Sequence, residues 1–119
     1  GEVTLRTADG LDIVAIITHG SATALGLAAG KKAFALVKAS SIIVMVDVAK
    51  NQVSARNCIA GTVTAVTKGA VNSEVIIGAG GAQIAAVVTN ESAERLGLAA
   101  GKAATAIFKA SSVIIGVQS

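Results

Sequence analysis

The chain has 119 residues, of which 53% are hydrophobic and 14% charged, with a net charge of +3, one cysteine and no proline. That length allows one domain or two very small ones, and a unit of about 60 to 70 residues is marginal if it must bury a core alone. The lone Cys58 excludes an internal disulfide and a cysteine-rich metal site and makes a reducing, cytoplasmic compartment the default, while the mild positive charge suits a small anion better than a nucleic acid.

Reading from the N-terminus, Glu2-Val3 opens a first apolar stretch, and the uncharged run from Ile13 to Gly30 approaches the length of a membrane span. It is interrupted by Thr18, His19, Gly20, Ser21 and Thr23, and Gly1 to Arg6 lacks the basic start of a secretory leader. Thr18 to Ser21 can cap a short helix that Gly26 stops, and a Lys38-Ala39-Ser40-Ser41 segment follows. Asp47 to Gln52 reads as an exposed linker.

Beyond the linker the chain repeats itself. Residues 18 to 46 and 89 to 117 are identical at 18 of 29 positions, at an offset of 71. The second copy carries Glu91, Glu94 and Arg95 where the first is uncharged, and two copies of one fold do not sit in different solvents. A soluble protein that buries its apolar surplus by self-association is therefore expected, with no membrane partner. Strands are predicted near 59 to 67, 73 to 78, 83 to 89, 103 to 109 and 112 to 117, with a helix over 90 to 96 capped by Thr89 or Asn90 and stopped by Gly97. Five short strands and one helical turn suit a Greek-key barrel of the oligonucleotide/oligosaccharide-binding (OB) type. The fold class is all-β: two tandem OB-like five-stranded barrels, a first domain over 1–48 and a second over 53–119. Twenty-one residues, Val53 to Ser73, precede Glu74-Val75, whereas Glu2-Val3 stands at the start of the chain. The first barrel is thus expected to lack its opening strand and to expose an edge.

Four polar segments stand out: Ser54-Ala55-Arg56-Asn57, Gly69-Ala70-Val71-Asn72, Thr89-Asn90-Glu91-Ser92 and Lys109-Ala110-Ser111-Ser112. With Leu96-Gly97-Leu98 and Gly101-Lys102 in the same order, the chain resembles the molbindin or Mop (TOBE-type) molybdate-binding domains, in a tandem arrangement. The resemblance implies a ligand, molybdate and often tungstate, held without an organic cofactor where domains or subunits meet. It implies that Ser54 and Arg56 face Thr89, Ser92 and Lys109, with Arg95, Ala110 and Ser111 nearby. The first copy offers Thr18, Ser21, Lys38 and Ser40 as an equivalent half-site, with Ala24 in place of Arg95 and no Ser-Ala-Arg-Asn segment of its own. Gly69, Ala70, Val71 and Asn72 are assigned to a second class of anion site. Dimers or trimers are the implied assembly.

The residue chemistry points the same way. A buried tetrahedral dianion must replace its hydration with converging donors, and hydroxyls, arginine, lysine and free amides at a helix start supply them. Each residue also has a plainer use: Arg56 and Lys109 as solvated strand-end charges, Thr89 and Ser92 as caps, and 69–72 as a hairpin turn. His19 has no second histidine or clustered carboxylates to complete a metal site, and Gly78 to Gly81 reads as a turn. Phe34 and Phe108 are expected in the core, which leaves no stacking platform for single-stranded nucleic acid. No nucleophile with a base and no carboxylate pair recurs, so an enzyme is not expected. The function read from the sequence is intracellular molybdate binding for storage or homeostasis. Its alternative is the sensing module of a longer transcription regulator or transporter ATPase.

Overall fold

The computed structural model of the chain describes residues 1–118. Nine strands form: β1 (Glu2–Arg6), β2 (Asp12–Ile16), β3 (Phe34–Val37), β4 (Ile43–Met45), β5 (Asn57–Lys68), β6 (Asn72–Ala79), β7 (Ala82–Thr89), β8 (Ala103–Phe108) and β9 (Val113–Gly116). Two helices, α1 (His19–Leu25) and α2 (Asn90–Leu96), follow β2 and β7. Both begin the same way, with Thr18 or Thr89 as the N-cap accepting from the amide of Ser21 or Ser92, and both end on a left-handed glycine, Gly26 or Gly97.

Sheet pairing departs from two self-contained barrels. The five-stranded sheet runs β4-β8-β5-β6-β7, and β3 pairs with β9 in a sheet of two. Each copy therefore hands its last strand to the other. The two exchanges share one register: Ile43 pairs with Ile107 and Val44 with Ala106, as Ile114 pairs with Leu36 and Ile115 with Ala35. Shifting either set of pairs by 71 residues gives the other, so an approximate twofold relates the copies. Units this small gain a shared core by the exchange, which answers their marginal size.

β5 has no counterpart in the first copy among the described residues. Its Asn57 to Thr62 pair antiparallel with β8 and its Thr62 to Lys68 with β6. A bulge at Thr64 bends it between the two neighbours and curls the sheet into a half-barrel. Inside lie Val63, Val75, Ile77, Ala86, Ala106, Phe108 and Val113. β1 and β2, lacking such a strand, form a separate hairpin.

One sequence expectation needs correction. Phe34 is 42% exposed, whereas Phe108 is 3% exposed. Phe34 lies on β3, which has no strand on its outer edge, and its ring packs over its cross-strand partner Gly116, whose lack of a side chain makes the room. Cys58 is half-buried at the start of β5.

Candidate functional site

The β5–β8 register decides which polar segments meet. Asn57 lies opposite Phe108, so the antiparallel run continues with Arg56 towards Lys109, Ala55 towards Ala110 and Ser54 towards Ser111. These residues line one cavity of about 280 Å³, closed on another side by Ile16. Lys109 ends β8 in extended backbone and Ala110 to Ser112 turn sharply in a 3-10 helix, which brings the Ser111 segment back over the strand end.

Asn57 fixes the lead-in. The side chain is 2% exposed; its Nδ2 donates to the Val14 carbonyl and its Oδ1 accepts from the Val14 amide, both at 2.8 Å. The side chain thus behaves as a strand edge and clamps the second copy to β2 of the first. β2 in turn packs against the 110–112 turn. Ile16, which lines the cavity, lies two residues before Thr18, the α1 cap of the first copy, whose Oγ1 donates to Ser21 Oγ at 2.9 Å.

Within one chain Thr89, Ser92 and Arg95 do not line this cavity, and neither do Thr18 and Ser21. β7, which leads into Thr89, packs against the 39–41 turn. The exchange of final strands lays the Lys-Ala-Ser turn of each copy against the strand that precedes the Thr-x-x-Ser cap of the other. Arg95 is exposed in the last turn of α2. The Lys38 side of the molecule has no Ser-Ala-Arg segment opposite it.

Glu2 was not among the candidates. Its carboxylate takes a bidentate pair from Arg56, with Nη1 at 2.5 Å and Nη2 at 3.2 Å. Both side chains are about half exposed, so the pair is weak and open to exchange. The repeated Glu-Val at residues 2 and 74 was the sequence signal for it. Lys109 is exposed and has no ion pair among the described residues.

Gly69 to Asn72 form the β5–β6 turn, closed by the Gly69 amide on the Asn72 carbonyl at 2.8 Å. Asn90 pins it: its amide donates to the Val71 carbonyl and its Nδ2 to the Gly69 carbonyl, each at 2.9 Å. The Ser73 hydroxyl completes the network by donating to Asn90 Oδ1 at 2.6 Å. The Gly69, Val71 and Asn72 carbonyls are thus occupied and Val71 is exposed. His19 is exposed, and no cluster of three His, Cys, Asp or Glu occurs among the described residues. Elsewhere, the Asp12 carboxyl is held below its usual range by the hydrogen bond from Arg6.

The TOBE domain profile matches residues 2–44 and again residues 53–115. The chain belongs to the TOBE domain family. Among relatives of this TOBE chain, the molybdenum-pterin-binding protein MopA of Rhodobacter capsulatus is 46% identical over 117 residues, covering 98% of the chain and 44% of MopA. The molybdenum transport protein ModE of Herbaspirillum seropedicae is 42% identical over 118 residues, again 44% of its length. The chain therefore spans less than half of these relatives. A crystal structure of the cytoplasmic molybdate-binding protein ModG, with molybdate bound, superposes with a TM-score of 0.93 at 42% identity, over 98% of this chain and 84% of that one. No helix of the described residues is long and apolar enough to cross a membrane.

Proposed function

We propose that this chain binds molybdate, and tungstate by the same chemistry, in the cavity between Ser54-Ala55-Arg56 and Lys109-Ala110-Ser111. The observation that carries the reading is that two cations and two serines, Arg56, Lys109, Ser54 and Ser111, line one small cavity at the end of the β5–β8 pairing. Arg56 and Lys109 supply charge, the hydroxyls supply donors, and the turn at 110–112 supplies backbone amides. The ligand is the bare oxyanion, which displaces Glu2 from Arg56 and needs no organic cofactor or turnover. Lys38, Ser40, Thr89 and Ser92 form the half of a second such site, completed by another copy or another segment. The likeness to ModG supports a cytoplasmic role in molybdenum storage, with the two TOBE units, 1–48 and 53–119, working as a pair in a homo-oligomer. The Gly69–Asn72 turn, with its Gly69, Val71 and Asn72 carbonyls already engaged, offers backbone amides to a further anion.

A second reading, a sensing module of a larger regulator, is favoured by the match to under half of ModE. It uses the same site and differs only in what is attached.

Calorimetric titration with molybdate, tungstate and sulfate, together with native mass, tests the site. Each charge-assisted contact is worth about 1.5–3 kcal/mol, so the double change Arg56→Ala with Lys109→Ala should weaken molybdate binding by about 100-fold or more while the circular dichroism stays unchanged. Unaltered affinity in the double variant would place the anion elsewhere.

A further inference from the structure

We infer that the Glu2 carboxylate is a built-in competitor for the anion: it holds the Arg56 fork, and an oxyanion takes that fork only by expelling it. The inference rests on the molybdate reading above and adds to it the regulation of that site.

Glu2 comes from the first copy and Arg56 from the second, so their ion pair crosses the seam between the two. Strand register brings them together. Glu2 lies opposite Ile16 in the β1–β2 hairpin, and Ile16 lines the 280 Å³ cavity that Arg56 also lines. On the other side, Asn57 fixes the residue next to Arg56, with its two bonds of 2.8 Å to Val14, which itself lies opposite Thr4 of β1. Both ends of the ion pair therefore start from ordered backbone.

The Nη1 and Nη2 donors that Glu2 takes, at 2.5 and 3.2 Å, are the pair a planar guanidinium presents to any anion with two oxygens. A carboxylate and a tetrahedral oxyanion cannot both hold them. Other acids of the chain do not compete in this way. Asp9 and Asp12 stand with Lys50 and Arg56 around a neighbouring cavity of about 450 Å³, yet Arg56 pairs with neither. Asp12 is engaged by Arg6, its cross-strand neighbour within one hairpin, and neither of that pair lines the 280 Å³ cavity. Glu74, the repeat counterpart of Glu2, lies on β6 without an ion pair among the described residues.

The charge balance follows. Arg56 and Lys109 bring two positive charges to the cavity, and Glu2 cancels one of them. Once Glu2 is released to water, the two cations match a dianion. With side chains 54% and 46% exposed, the pair is weakly held and Glu2 is readily rehydrated, so the contact lowers affinity modestly instead of closing the site. Because the pair joins the two copies, anion binding and this contact across the seam oppose each other, and each weakens the other by the same factor.

The test is a double-variant cycle on the 119-residue chain, read by calorimetric titration with molybdate. Glu2→Gln keeps the shape of the side chain and removes its charge, and should tighten binding about two- to fivefold, the range that a half-exposed ion pair is worth. Arg56→Ala alone should weaken binding about tenfold or more, and in that background Glu2→Gln should bring no gain. In the isotope-labelled wild-type chain, saturating molybdate should move the Glu2 carboxyl carbon signal to the position it has in Arg56→Ala. Weaker binding by Glu2→Gln would make Glu2 a residue that positions Arg56, and unaltered binding would make the pair idle; either overturns the inference. A gain that persists without Arg56 also overturns it, since general repulsion would then account for the effect. In all three cases a loss in Arg56→Ala leaves the molybdate site standing, whereas unchanged affinity in Arg56→Ala removes the site and the competitor together.

Discussion

The two copies share their caps, their glycine stops and their strand register, yet they are buried to different depths. Ile77 on β6 is fully enclosed, whereas Leu5 at the same place on β1 is half-buried. Ala93 of α2 is buried and no residue of α1 is. The difference follows the single strand β5, which lies along one copy and not the other. Local conformation is thus copied with the sequence, but the core belongs to whichever copy has a neighbour along its edge.

The comparison breaks most plainly at the matched core pair. Ile77→Ala should lower unfolding free energy by about 2–5 kcal/mol and Leu5→Ala by less than about 1.5 kcal/mol in urea titrations. Equal losses would mean that β1 is as well covered as β6. Asn57→Ala comes next: it leaves the Val14 amide and carbonyl without their partner and should cost about 2 kcal/mol, with faster hydrogen exchange at the Val14 amide. Unchanged exchange there would show that the clamp between the copies is not held by Asn57. The smallest effect concerns the caps. Thr89→Ala should cost about 1 kcal/mol, and Thr18→Ala should register at under about half of that because α1 frays without exposing buried surface. A larger loss at Thr18 would show α1 to be part of the cooperative core.

Much of this was legible in the residues. Thr89, Gly97 and their duplicates marked both helices, because cap and stop chemistry is local. The strand spans of the second copy came within two residues of those found, since alternation and turn residues lie close in sequence. The grouping of the candidate site was not legible. The resemblance grouped Lys109 with Thr89 where domains or subunits meet, whereas within one chain the exchange of β4 and β9 sets the 110–112 turn against β2 of the first copy. Phe34 was misplaced for a related reason: its context matches a core strand, but burial depends on the strand alongside it.

By itself the sequence determined the duplication, the elements and the donor chemistry of Ser54, Arg56 and Lys109, since propensity, capping and side-chain type act over a few residues. The tertiary structure decided which copy meets which, through reciprocal pairing of β3 with β9 and β4 with β8. Either copy could in principle have kept its own last strand, because the repeated residues give both pairings nearly the same hydrogen bonds. The choice rests on the burial that two small, incomplete sheets gain only together, and no short stretch of residues encodes that.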